Sequence, residues 1–140
     1  MNIVKAYIDM ALNPLHLNTG VVDGKFKELP ETPNGVSTQT AQDVKRVDPL
    51  PYIDGSREAS KAKIKSVLAS LPDTIKVVKD EPNYFYVLFV SAGLKFKDDV
   101  EFYFDDNTQQ IEFRSNSRIG FSDMGVNQKR YDSIAELYNK

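Results

Sequence analysis

The sequence predicts an α+β fold: a two-layer sandwich with helices on one face of a mainly antiparallel four-stranded sheet. Two observations predict it. Four short segments with strand patterning follow one another with turn residues between them, and short connections require antiparallel neighbours. Segments with helical periodicity flank this run on both sides, so the helices cover one face.

Residues 2–12 come first. They place Ile3, Val4, Tyr7, Ile8, Ala11 and Leu12 at helical spacing, with Lys5 and Asp9 as the only charges. The expectation is a short helix over 1–17 that packs on its own domain, on a partner or on a second copy. Asp9 and Pro14 break the apolar run, so the segment reads neither as a signal peptide nor as a membrane span, and the expected location is cytoplasmic. Residues 18–55 carry Gly20, Gly24, Pro30, Pro33, Gly35, Pro49, Pro51 and Gly55, and are expected to form an irregular lead laid over the domain. The α+β core is expected over 56–140.

Ser56 is a candidate N-cap, with Glu58 in the first turn. Ile64, Val67, Leu68 and Leu71 follow at helical spacing, and Pro72 ends the helix. The strand candidates are Ile75–Lys79, Tyr84–Val90, Asp99–Asp105 and Gln110–Ser117. YFYVLFV is apolar on both faces and belongs inside the sheet. A last helix is expected near Asn127–Tyr138, with Tyr131, Ile134, Leu137 and Tyr138 inward.

A two-residue turn at Asp106-Asn107 would place Phe102 opposite Ile111 and Asp99 opposite Arg114, with every apolar residue on one side. The other side then gathers Asp99, Glu101, Glu112, Arg114 and Arg118. Glu101 opposite Glu112 is unfavourable unless Arg114 neutralises both. Three of the five arginines, Arg114, Arg118 and Arg130, fall within seventeen residues, against thirteen lysines spread over the chain. Their forked guanidinium groups suit carboxylates and phosphates.

Composition excludes several classes. There are no cysteines, hence no disulfide, thiol nucleophile or thiolate metal site. A net charge of −2 argues against nucleic acid as a partner. The single histidine, His16, lies in the N-terminal segment and reads as a surface residue, which disfavours Ser–His catalysis.

TPNGVSTQ (Thr32–Gln39), LKFKDDVEF (Leu94–Phe102) and RSNSRIGFSDMGVNQKR (Arg114–Arg130) resemble, in order, the signature blocks of the bacterial and plastid domain-of-unknown-function family 1499. The similarity runs over roughly residues 18–140. The resemblance implies no reaction. Gly35 stands where the family usually has cysteine, Gln128 where arginine is common, and the export signal of many relatives is not seen.

Together the residues and the resemblance select Ser37, Gln39, Asp99, Glu101, Arg114, Ser115, Ser117, Arg118, Asp123, Asn127 and Arg130 as the candidate site, with Asn34 and Asp98 beside them. The leading expectation is a non-catalytic binding module, without a cofactor, for an anionic small molecule or a protein partner. The open helix start after Gly120 is the natural place for an anion. A carboxylate-dependent hydrolase built on Asp98, Asp99, Glu101 and Asp123 is the alternative, and a purely structural domain another. Metal binding by the same acids is not expected without a bulge, since Asp98 and Asp99 point to opposite faces. Arg118 is expected to pair with Asp123, and Ser37 and Gln39 to bond near Arg114–Asp123.

Overall fold

Alternation along YFYVLFV sets the layering. Phe85, Val87 and Phe89 face one side of the sheet, Tyr84, Tyr86 and Leu88 the other, and all six are buried. A strand covered on both faces needs a layer on each, and the computed structural model, which describes residues 18–93, 95–120 and 122–140, contains both. The expected N-terminal helix and His16 lie outside the described residues.

In chain order the elements are β1 (Val21–Val22), β2 (Lys25–Phe26), β3 (Gly35–Ser37), β4 (Leu50–Pro51), α1 (Arg57–Ser70), β5 (Thr74–Asp80), β6 (Tyr84–Val90), β7 (Lys97–Asp105), β8 (Gln110–Ser117) and α2 (Val126–Tyr138), with a 3₁₀ turn at Asp43–Lys45. The class is α+β as expected. The sheet is wider than expected: its order is β3-β8-β7-β6-β5, with β4 also paired to β8, making six strands instead of four. The extra two come from the lead, read above as irregular. Proline and glycine do interrupt it, but three-residue β3 and two-residue β4 fit between them and cover the outer edge of β8. A bare edge strand invites pairing with other chains.

α1 starts where the sequence says: the Ser56 hydroxyl accepts from the Ala59 N–H, and the chain turns extended at Leu71 before Pro72. Lys61 and Lys65 reach across to Asp80 of β5, each at 2.6 Å. α2 is tied to β4 by the Tyr138 hydroxyl, which donates to the Pro51 carbonyl at 2.7 Å. Both helices lie over the face bearing Val36, Phe85, Val87, Phe89, Val100, Phe102, Phe104, Ile111 and Phe113, and contribute Ile64, Val67, Leu68, Tyr131, Ile134 and Tyr138 to it.

The β7–β8 register is a correction. Phe102 faces Phe113, Asp99 faces Asn116, and Glu101 faces Arg114. The connection is the four-residue turn Asp106–Gln109, closed by Gln109 at φ 53°, not a two-residue turn. A slide of two residues preserves which face each side chain occupies, so the apolar side is as expected. The slide also explains itself. It puts Glu112 opposite Tyr103 and Glu101 opposite Arg114, removing the like-charge pair. It also lines up Phe85, Phe102 and Phe113 on neighbouring strands, and Tyr131 continues the row, with successive ring centroids 6.2, 5.4 and 5.3 Å apart. The last two contacts are edge-on, the geometry that favours aromatic pairs.

Candidate functional site

Strand alternation sends the eleven candidate residues to different places. Asp99, Glu101, Arg114 and Arg118 face the lead. Ser115, Ser117, Asn127 and Arg130 lie on the helix side, and Asp123 sits at the start of α2. The two sets do not converge.

On the lead side, Arg114 and Glu101 are fully buried and 3.5 Å apart. The Arg114 Nε–H donates to the Lys27 carbonyl at 2.9 Å, and Nη2 reaches the Glu28 carbonyl at 3.4 Å. Glu101 accepts from the Gly20 N–H at 2.7 Å and from the Tyr84 hydroxyl. Burial pushes the Glu101 carboxyl up, against the opposing pull of Arg114, Tyr84 and Gly20. Burial and the adjacent Glu101 push the Tyr84 phenol up as well. Arg118 grips Asp99 with two bonds, Nε to Oδ2 at 2.9 Å and Nη2 to Oδ1 at 2.7 Å, and the Tyr86 hydroxyl also donates to Asp99. Burial works against the Arg118 charge, but Asp99 and Tyr86 outweigh it and hold the guanidinium above its ordinary value. The expected Arg118–Asp123 pair is therefore replaced by Arg118–Asp99. Both residues lie on one face at adjacent strand ends, whereas Asp123 turns to the helix.

On the helix side, Asp123 takes the place an anion was expected to fill. Its carboxylate accepts from the Gly125 N–H at 2.8 Å, the Asn127 N–H at 3.2 Å and the Asn127 amide at 2.7 Å, so the free N–H groups of the α2 start already have an acceptor. Asn127 is fully buried, and its amide also donates to Ser117 at 2.9 Å and to the Asn34 carbonyl at 3.1 Å. Ser115 donates to the Asn127 Oδ1 at 2.5 Å. Arg130 bonds Asp98 at 2.7 Å, Asn127 at 2.8 Å and Ser115 at 3.1 Å, with its guanidinium 4.5 Å from the centre of the Phe89 ring.

The lead reaches the third block mainly through its backbone. Gly35, Val36 and Ser37 pair with Asn116, Ser115 and Arg114. The Asn34 amide donates to the Gly120 carbonyl at 2.8 Å. The side chains of Ser37 and Gln39 act elsewhere: Ser37 accepts from the Gln39 N–H, and Gln39 bridges the Phe26 N–H and the Gly24 carbonyl across the β1–β2 turn. Gly35 is required by a close approach. A Cβ there would stand 2.6 Å from the Asn116 Oδ1 and 3.0 Å from both the Ser115 carbonyl and Leu29. Among the described residues that Asn116 oxygen is the buried side-chain atom without a hydrogen-bond partner.

At the end of the sheet nearest Asp98 and Ser117 a cleft of about 470 Å³ opens, with Phe89, Phe96, Ile119, Met124 and Val126 as walls and Asp98 and Arg130 at its polar part. A second hollow of about 290 Å³ shares Phe89, Val126 and Arg130 and adds Leu71 and Lys129. Arg114 and Arg118 are sealed, at 0% and 2% exposure. Sequence reasoning missed the cleft because its walls come from loops and strand ends without a shared period. It also missed Tyr84 and Tyr86, although their alternation along β6 placed both hydroxyls on the acidic face.

The family described as "Protein of unknown function (DUF1499)" matches residues 25–137. The chain belongs to this family. No curated protein and no solved structure matches it. Within the matched span, Gly35–Ser37, Lys97–Phe102 and Arg114–Ser117, far apart in sequence, meet where β8 pairs with β3 on one side and β7 on the other.

Among the described residues no three His, Cys, Asp or Glu side chains gather as a metal site, and no helix is long and apolar enough to cross a membrane.

Proposed function

We propose that this chain is a non-catalytic binding module whose ligand is a small amphiphile, its anionic end at Arg130 and its apolar part along the cleft. The observation that carries this reading is the different fate of the three clustered arginines: two are sealed against carboxylates, while Arg130 opens onto a cleft of ligand size. Asp73, Asp98 and Asp123 also line the cleft; Arg130 and the start of α2 balance the last two, and Asp73 shares the adjoining hollow with Lys129. Arg130 has five N–H donors, of which three contacts use some, and Lys129 adds a second cation at the adjoining hollow. Phe96, Ile119 and Met124 offer a wall to an alkyl chain.

Catalysis is the weaker reading because every acid of the motif is already held. Arg118 grips Asp99, Arg130 holds Asp98, the α2 start engages Asp123, and Glu101 is closed off beneath the lead. A general acid or base must reach a substrate proton.

Decanoate and decanol, titrated into the full chain and followed by NMR, test the proposal. Decanoate is expected to shift the Met124 and Val126 signals. Arg130→Lys, which keeps the charge but loses the fork, should weaken decanoate about tenfold, the loss of roughly one charge-assisted bond, and leave decanol unchanged. Ile119→Ser should weaken both. An unshifted cleft, or an Arg130→Lys chain that binds decanoate as well as the parent, overturns it.

A further inference from the structure

Among the described residues seven large hydrophobic side chains are exposed, and four of them, Phe96, Ile119, Met124 and Val126, line this one cleft. Such clustering marks an interaction surface rather than the scattered exposure of an ordinary protein face. Two of the four are fixed in place by their own loops. The Phe96 N–H donates to the Ser91 hydroxyl and the Ser91 N–H to the Phe96 carbonyl, both at 2.8 Å. The Met124 N–H donates to the Ser122 hydroxyl at 3.2 Å, with Met124 at φ 53°. The loops thus hold apolar side chains in water, where folding gains nothing from them. We infer that this end of the domain docks on the surface of an anionic lipid bilayer, the four apolar side chains entering the interface and Lys95, Lys97 and Lys129 meeting the headgroups. The inference rests on the reading of the cleft as an amphiphile site and names where its ligand is met.

Three arguments favour a bilayer. The first is charge. Lys95 and Lys97 flank Phe96 and are exposed, and exposed Lys129 stands at the adjoining hollow. Of the acids that line the cleft, Asp98 is bound by Arg130 and Asp123 by the start of α2, which leaves Asp73 as the exposed carboxylate against three lysines. The chain as a whole carries −2, so its attraction to anionic lipid belongs to this end. Charges more than about 8 Å from the headgroups are largely screened at physiological salt, and the rest of the domain then opposes docking little. The second is geometry. Met124 is 86% exposed and Phe96 50%. A small ligand in the cleft touches only the inner sides of such side chains, whereas the boundary between headgroups and acyl chains flows around them. The third is combination. Interfacial binding scales with the apolar area buried plus the attraction to anionic lipid, and one face supplies both. An amphiphile dissolved in the bilayer then reaches Arg130 without crossing water.

The chain contains no tryptophan, so Phe96→Trp gives a single reporter in the full chain, and flotation of the unsubstituted chain with vesicles controls for the substitution. Vesicles of phosphatidylcholine with about one third phosphatidylglycerol should shift the tryptophan emission to the blue and float the chain, and phosphatidylcholine alone should bind it about tenfold more weakly or less well still. Met124→Asp should weaken binding to the anionic vesicles about tenfold, the loss of one buried apolar side chain. Lys95→Gln should weaken it about fivefold. Val22→Asp should leave it unchanged, since Val22 is exposed in the β1–β2 hairpin, which packs at the Tyr103 end of β7. Equal binding to both vesicle types, or a Met124→Asp chain that binds like the parent, overturns the inference. Self-association in sedimentation that Met124→Asp abolishes, without vesicle binding, assigns the face to a second copy and also overturns it. Vesicles that leave the reporter unmoved, while decanoate shifts the Met124 and Val126 signals, overturn the docking alone. If neither has an effect, the amphiphile reading falls as well.

Discussion

Replacing Arg118 by alanine tests whether the buried polar layer is scaffold. Arg118 is 2% exposed and Asp99 is 4% exposed. Removing the guanidinium breaks the 2.9 and 2.7 Å bonds and leaves the Asp99 carboxylate with the Tyr86 hydroxyl in a site closed to water. Stranding one member of a buried pair costs about 3–5 kcal/mol, a large share of a typical domain stability of about 5–15 kcal/mol. For a chain of this size the melting temperature should fall by roughly 10–20 °C. Urea and thermal unfolding at neutral pH give the number. The double variant Arg118→Met with Asp99→Leu should recover most of it, because apolar residues of similar volume often replace a buried pair without loss. Decanoate affinity, read at a temperature where the single variant is still folded, should not change, since Arg118 faces the lead and the cleft opens on the helix side. A loss below about 1 kcal/mol, or no recovery in the double variant, would refute the reasoning.

Two further outcomes follow from the same layer. Gly35→Ala should destabilise the chain by about 1–3 kcal/mol, because its Cβ meets the Asn116 Oδ1 at 2.6 Å, and Asn116→Ala in the same chain should return part of that in the urea midpoint; a neutral Gly35→Ala would mean the β3–β8 approach is looser than described. The Glu101 carboxyl, raised by burial, binds protons in the folded state at pH values where the unfolded chain has released them. Stability should therefore fall as pH rises from glutamate's ordinary value of 4.5 through the folded-state value, and Glu101→Gln should remove that component of the slope when the two unfolding curves are subtracted. A difference curve that is flat, or rises with pH, contradicts the assigned direction.

What could be read from the sequence follows from the range of each signal. Ser56, Pro72 and the 3.6-residue spacing act within a few neighbours, and α1 starts and stops where they put it. An unbroken apolar run after the Asp80-Glu81-Pro82-Asn83 turn signal placed β6, and period-two alternation placed β8, at their observed limits. The register failed by two residues because a turn of two and a turn of four leave the same alternation behind them, and only the pairing of Glu101 with Arg114 and the Phe85–Phe102–Phe113 row decides between them. The lead failed for the opposite reason. Its strands are two or three residues long, too short for any periodicity, and they exist only because β8 offers an unpaired edge. In the candidate site, alternation correctly separated Ser115 and Ser117 from Arg114. Which acid each arginine takes depends on contacts across the sheet that no local pattern records.

The closing strands also set an order of events. β3 and β4 pair with β8 across some 60–80 positions of sequence, so the part of the chain synthesised first is the last that can be placed. At about 5–20 residues per second, the lead leaves the ribosome several seconds before its partner strand exists. Once β8 emerges it presents an open edge until the lead folds back, and Glu101 and Arg114 face water. Such long-range closure is slow compared with forming the β5–β8 hairpins. Within this interval any competing strand meets the same edge, so the yield of folded chain should depend on how fast the proline-interrupted lead folds back, more than on the stability of the finished sheet.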